Sequence, residues 1–288
     1  MYKKILVPLS GSDAAEIVLP YTVEISAKSG AEITLISVSD HDTVDNNHLY
    51  RSYQERIIER VQRQLNSYGA KKKSLVHAEV LLGTPAEKIL YYVNKKNISL
   101  IVIASRGSLT RGRWSLGNVP EKVLRGAAKP VLLIRAPANR ESIRQKSLLK
   151  KILVPLDGSI LGEAVISSIV PLAQALSAEL VLLHVVEPII FLSGHQGTPY
   201  AVPDGLAYLK RVEKLISNSE INVSSEVKIG SAADQIIDYA EANAIDLIAM
   251  STHGRSGIGR WVFGSVTDKV LHAGCTPVLV VRAQKTKT

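Results

Sequence analysis

Two short stretches of this chain gather the residue types that hold a phosphorylated sugar. One is Val154-Pro155-Leu156-Asp157-Gly158-Ser159. The other is Met250-Ser251-Thr252-His253-Gly254, followed further on by Gly264-Ser265-Val266-Thr267. A glycine-flanked loop ending in Gly-Ser-Val-Thr at a helix start turns unpaired backbone N–H groups and short hydroxyls toward one point, where the helix dipole adds positive potential. That chemistry suits an anion, a phosphate above all. Asp157, on a turn after an apolar run, is placed to accept hydrogen bonds from a ribose hydroxyl or an adenine amino group. Each residue also has a plainer use, since Asp, Ser or Thr at such a position caps a helix. The gathering of the whole set at one edge is what points to a ligand.

The elements that position these residues come in two copies. Lys4-Ile5-Leu6-Val7-Pro8-Leu9 recurs as Lys151-Ile152-Leu153-Val154-Pro155-Leu156, an offset of 147 residues that also relates Gly11 to Gly158, Glu16 to Glu163, Gly83 to Gly230, Gly107 to Gly254, Trp114 to Trp261, Gly117 to Gly264 and Pro130 to Pro277. A repeat this exact marks two homologous domains. We place them at residues 1–137 and 150–284, with a basic linker at 138–149. In the second copy, strands are predicted at Ile152–Leu156, Leu180–Val186, Val223–Ile229, Leu247–Met250 and Val278–Val281. Helices are predicted at Ile160–Ser177, Leu206–Ile216, Ala232–Asn243 and Val266–Ala273. Apolar strands without alternation, separated by helices, imply an α/β fold with a parallel sheet covered on both faces. In such sheets ligands bind beyond the carboxyl ends of the strands, where strand order reverses.

The second copy resembles the universal stress protein family, whose nucleotide-binding members carry G-x2-G-x9-G-[ST] after the fourth strand. Here the pattern aligns as Ser251, Gly254, nine residues from Arg255 to Phe263, then Gly264-Ser265, with Ser251 standing in place of the first glycine. The resemblance covers essentially all of both copies. It implies two tandem five-stranded domains of the adenine nucleotide alpha hydrolase-like, Rossmann-like type. It implies an ATP site in which Pro155 and Asp157 border the ribose and adenine, and Val185 and Met250 contact the base. Ser251, Gly254, Gly264, Ser265, Val266 and Thr267 would wrap the phosphates and ribose. It also implies a role in stress signalling, domain pairing through Val131–Ile134 and Val278–Val281, and association into a homodimer. A divalent ion, magnesium or manganese, is expected to accompany the ATP.

The first copy keeps the scaffold and changes the chemistry: Asp157 corresponds to Ser10, Met250-Ser251 to Ile103-Ala104, Ser265 to Asn118 and Thr267 to Pro120. Losing a carboxylate and a pair of hydroxyls weakens nucleotide binding, each charge-assisted bond being worth roughly 1.5–3 kcal/mol. A degenerate first site is therefore expected.

Composition narrows the remaining choices. The chain has 288 residues, 46% hydrophobic and 21% charged, with a formal net charge of +9. The charge is concentrated in Arg135, Arg140, Arg144, Lys146, Lys150 and Lys151 and in Lys71-Lys72-Lys73, so it reads as linker and loop charge rather than a nucleic-acid groove. No apolar run approaches the ~20 residues of a membrane span, and the amino terminus lacks a signal-peptide pattern. With Cys275 as the one cysteine, and neither CxxC nor HExxH present, no metal site is expected and a reducing cytoplasm fits best. Cys275 itself is expected to be buried. No GxxxxGK[ST] loop occurs, and Ser10-Gly11-Ser12-Asp13 matches a pyrophosphate loop only in part. Trp114 and Trp261 read as packing residues, and Tyr50, Tyr53, Ile57, Val61, Leu65 and Tyr68 as the core stripe of a helix. Ser193–Tyr200 reads as a loop at the binding edge with the reach of a lid. No dedicated catalytic base is evident, so a binding module leads. The alternatives are a slow ATP hydrolase using Asp157 or His253, and a nucleotide-free interaction protein.

Overall fold

Strand formation starts from runs that are apolar on both faces. In β1 (Lys4–Pro8), Ile5, Leu6 and Val7 are completely buried, which only a strand with helices above and below can achieve. The computed structural model describes residues 2–39, 44–68, 75–105, 116–135, 147–190, 196–197, 201–216, 220–253 and 263–283. The chain divides into two units, Met1–Leu148 and Leu149–Thr288.

In the first unit β1 is followed by α1 (Asp13–Glu16), α2 (Leu19–Ser29), β2 (Glu32–Ser39), α3 (Val44–Ser67), β3 (Val76–Leu82), α4 (Pro85–Lys95), β4 (Leu100–Ala104), α5 (Asn118–Gly126) and β5 (Val131–Ile134). All pairings are parallel, in the order β3-β2-β1-β4-β5. The second unit repeats this plan. It contains β6 (Lys151–Pro155), α6 (Ile160–Glu163), α7 (Ile166–Leu176), β7 (Glu179–Val186), β8 (Ile189–Ile190), β9 (Gln196–Gly197), α8 (Ala201–Ile216), β10 (Val223–Ile229), α9 (Ala232–Ala242), β11 (Leu247–Ser251), α10 (Ser265–Ala273) and β12 (Val278–Val281). Its order is β10-β7-β6-β11-β12, again parallel. The chain moves outward from β6 on one side, then returns to build the other side. The reversal therefore falls between β6 and β11, where a crevice opens at the carboxyl ends.

The first amides of each central strand are held by a side chain from the residue preceding the fourth main strand. Ser99 Oγ accepts from Lys3 N and Lys4 N, both at 2.9 Å. Asp246 Oδ2 does the same for Lys150 N and Lys151 N at 2.9 Å. The central strand is thus located at its start as well as along its ladder.

Three expectations need correction. The predicted helix Ile160–Ser177 is broken into α6 and α7. Ser167 Oγ donates to the Ala164 carbonyl at 3.1 Å, and Ser168 N donates to Val165 O at 3.0 Å, so the backbone ladder tightens and skips a step there. The first unit breaks at the same place, where Pro20 has no N–H to continue the ladder. Within the predicted loop Ser193–Tyr200, Gln196–Gly197 forms β9 and pairs antiparallel with β8. Residues 193–195 and 198–200 lie outside the described residues, as do Trp114 and Trp261. The α3 stripe is as expected, with Ile57, Val61 and Leu65 buried. Gln54 joins this face by donating from Nε2 to the Glu79 carbonyl at 2.7 Å. Cys275, expected to be buried, is exposed.

Of the segment read as a linker, residues 138–146 lie outside the described residues. Ser147 and Leu148 fold onto Glu24, a fully buried carboxylate of α2. Ser147 Oγ donates to Glu24 Oε1 at 2.9 Å and Leu148 N to Oε2 at 2.8 Å, with Lys28 Nζ 3.6 Å away. The matching position in the second unit is Pro171. Glu24→Ala strands these donors, and urea denaturation is expected to show a loss of about 1–3 kcal/mol. An unchanged midpoint and slope would contradict the assigned role of Glu24.

Candidate functional site

The carboxyl end of β6 leads into a turn whose backbone needs glycine: Gly158 has φ +85, a left-handed value that side chains disfavour. Asp157 ties the turn together. Its Oδ1 accepts from Ser159 N at 3.0 Å and from Ser159 Oγ at 2.7 Å, and Ser159 Oγ in turn caps α6 by accepting from Gly162 N at 3.0 Å. Gly162 is required by the carboxylate, because a Cβ there would run into Asp157 Oδ1. In the first unit the corresponding residues are Ser10 and Ala15, and Ser10 Oγ meets Ser12 Oγ at 3.0 Å.

On the other side of the crevice, α10 is fastened to the end of β11 at two points. Gly264 N donates to the Thr252 carbonyl at 2.9 Å, and Thr267 Oγ1 donates to the Ser251 carbonyl at 3.0 Å. Thr267 is buried, so its hydroxyl is turned inward to this fastening rather than outward. Gly264 is the N-cap, no side chain caps the helix, and its first ladder bond is Asp268 N to Gly264 O at 2.9 Å. The amides of the first turn therefore face outward uncapped, with Ser265 exposed beside them. The backbone at Gly264 does not itself require glycine, since φ is −60. Among the described residues packing does not require it either, because the nearest atom to an added Cβ would be Thr252 O at 3.7 Å. Close by, Ser251 Oγ is buried and has no hydrogen-bond partner among the described residues.

The structure brings nearly the whole expected set to one sheet edge. Pro155 ends β6 with Asp157 in the turn beyond it, Val185 lies near the end of the neighbouring β7, and Met250 and Ser251 end β11 on the other side. Gly264, Ser265, Val266 and Thr267 open α10. Met250 and Ser251 are buried, whereas Pro155, Asp157, Val185 and Val266 are half-buried. Gly254 lies outside the described residues. His253 is half-buried with its ring Nδ1 2.9 Å from Thr252 Oγ1. Among the described residues no group of three or more His, Cys, Asp and Glu stands together as a metal would need, and no helix is long and apolar enough to cross a membrane.

Sequence reasoning missed a polar cluster beneath the Asp157 turn. His184 of β7 has Nδ1 2.7 Å from the Leu156 carbonyl, and its ring meets Tyr208 of α8 edge-on at 5.6 Å. Arg211 pairs with Glu163 at 3.2 Å and lies over the Tyr208 ring at 5.4 Å. A signal was available, since His184 is the one polar residue within the apolar run Leu180–Val186. The first unit holds a similar group, with Arg60 on Glu16 at 2.6 Å and Arg56 over the Tyr53 ring at 5.6 Å.

A doubly wound α/β domain, present twice and carrying a glycine-opened helix at its switch point, defines the class of protein. The universal stress protein family model matches residues 1–135 and 149–282, and the chain belongs to that family. The universal stress protein Slr1230 of Synechocystis is 26% identical over 305 residues, covering 97% of this chain and 100% of that protein. The universal stress protein MJ0531 of Methanocaldococcus jannaschii is 30% identical over 146 residues, covering 49% of this chain and 86% of that protein. Among solved structures, a universal stress protein from Archaeoglobus fulgidus superposes with a TM-score of 0.73 at 22% identity, covering 98% of each chain, which is a likeness of fold.

Two half-buried tyrosines, Tyr208 and Tyr53, whose phenol oxygens are buried, generate a pH prediction. Burial first, then the Glu163 carboxylate and more weakly Asp157, pushes the Tyr208 phenol well above the ordinary tyrosine range, against the opposing charge of Arg211. Burial and then Glu16 do the same to Tyr53. The folded chain thus holds these protons more tightly than the unfolded chain. The stability they contribute is fully present below the ordinary tyrosine pKa of about 10 and is lost as pH rises beyond it. The melting temperature is expected to fall above that pH, and to fall less steeply in a Tyr53→Phe, Tyr208→Phe double variant. Equal slopes for the two proteins would remove these tyrosines as the cause.

Proposed function

We propose that the second unit binds ATP or a closely related adenine nucleotide and acts as a regulatory module in a stress response. The observation that carries this reading is the uncapped amino end of α10, kept open by Gly264, at the switch point of a parallel sheet. Such an end attracts phosphate through its free amides and its dipole. Membership of the universal stress protein family supports the same reading.

In this reading Asp157 and Pro155 border the ribose and adenine, while Val185 and Met250 flank the base. Ser251, Gly254, Gly264, Ser265 and Val266 surround the phosphates. Thr267 contributes by holding α10 to β11 and by its backbone amide. The buried Ser251 hydroxyl, lacking a protein partner, gains one from the ligand. A divalent ion, magnesium or manganese, rides on the triphosphate rather than in a cage of protein ligands. The first unit, with Ser10, Ala104, Asn118 and Pro120 at the matching positions, binds nucleotide weakly or not at all. We place the protein in the cytoplasm, as a homodimer.

The experiment is mass spectrometry of ligand released from freshly purified protein, followed by calorimetry with ATP and magnesium. One adenine nucleotide per chain is expected. Gly264→Ala separates site from scaffold. Its stability should change by no more than about 0.5 kcal/mol, whereas ATP affinity should drop at least about tenfold, or ~1.4 kcal/mol. No released nucleotide together with no heat on adding ATP would favour a nucleotide-free interaction protein instead.

A further inference from the structure

We propose that His184 is a positioning residue for the nucleotide site, acting through the Leu156 carbonyl to set the turn that carries Asp157. The proposal rests on the ATP-binding reading for its functional consequence. The contact itself stands on geometry.

The last ladder bond of β6 is Leu156 N to Leu183 O at 2.8 Å. Beyond it the chain leaves the sheet, and the orientation of the Leu156–Asp157 peptide is no longer set by strand pairing. The His184 ring supplies the missing constraint. Its Nδ1 lies 2.7 Å from the Leu156 oxygen in a buried setting. A carbonyl can only accept, so Nδ1 carries the proton and donates. From that fixed carbonyl the contacts run on to Asp157 Oδ1, which takes Ser159 N and Oγ, and to Ser159 Oγ, which takes Gly162 N. One ring therefore anchors a chain of hydrogen bonds ending at the first turn of α6.

The surroundings are shaped to this ring. Gly205 lies inside α8, where glycine is the poorest helix former after proline. A Cβ at Gly205 would stand 2.8 Å from His184 Cδ2. Tyr208 meets the ring from the side at 5.6 Å with an interplanar angle of 64°. The first unit supplies the contrast. Leu9 N bonds Ile36 O at 2.8 Å just as Leu156 bonds Leu183, but Ser37 stands in place of His184. Ser37 Oγ is buried with no partner among the described residues. The unit that has the carboxylate has the donor beneath it, and the unit that has Ser10 lacks both.

The test compares the full-length wild type with His184→Phe, which keeps a ring and loses the donor, and His184→Asn, which places an amide N–H near the Nδ1 position. Two readouts are taken: ATP affinity by calorimetry with magnesium, and backbone amide exchange of Ser159 and Gly162 by NMR without nucleotide. Leaving one buried acceptor unpaired should weaken ATP binding and speed exchange at both amides by about tenfold each in His184→Phe. Amides of β10 and β12 should stay protected, and His184→Asn should restore both values. If His184→Phe does not fold, Gly205→Ala, which drives the ring off Leu156 from the α8 side, is expected to give the same two changes. Unchanged exchange at Ser159 in the variant that folds, or no recovery in His184→Asn, overturns the proposal. If the wild type binds no ATP, the functional reading falls, while the exchange measurement still decides the role of His184.

Discussion

A strand paired on both edges with parallel neighbours cannot slide without breaking two ladders at once, and β6 is such a strand. Its residues pair with β7 on one side and β11 on the other, and Asp246 holds its first amides. A slip of one residue would turn every side chain of β6 to the opposite face. The point at which β6 ends is consequently set relative to the ends of β7 and β11. The Asp157 turn, the Met250-Ser251 terminus and the opening of α10 meet because three strand lengths and two registers agree. Every polar contact at the site is a local adjustment made on that frame.

The two units show which adjustments travel together. Both keep a glycine of left-handed φ in the first turn, Gly11 at +84 and Gly158 at +85, because the backbone path is shared whatever chemistry it carries. The carboxylate of Asp157 occurs with Gly162, whose lack of a side chain makes room for it, and with His184 beneath it. The serine of the first unit occurs with Ala15 and Ser37. At the other wall, the Thr267 hydroxyl fastens α10 to β11, where the first unit has Pro120 and Ala104. A buried polar group costs free energy unless its partners and its space are present together, and in this chain these residues differ between the two units as a group.

That coupling also separates scaffold from site. Gly158 and Gly162 are glycine for reasons internal to the protein, one of backbone angle and one of contact. Gly264 has neither reason among the described residues. The same comparison distinguishes Thr267, whose hydroxyl bonds the Ser251 carbonyl, from Ser251, whose hydroxyl has no partner among the described residues.

The sequence by itself determined the repeat, the α/β alternation and the sheet edge at which the candidate residues collect. Val278–Val281 coincides with β12, where a continuous, fully buried apolar run leaves little freedom in where the strand begins and ends, and Val223–Ile229 coincides with β10, a half-buried strand at the sheet edge whose apolar residues are interleaved with polar ones. Family membership was legible from glycine spacing along the chain. The tertiary structure decided the break between α6 and α7, the β8–β9 pairing, the exposure of Cys275, the inward use of Thr267 and the support of Asp157 by His184. Each of these depends on where an atom distant in sequence comes to rest. Periodicity reports which face of an element is buried, but the partner of a given oxygen or ring nitrogen exists only once separate strands and helices have been packed against one another.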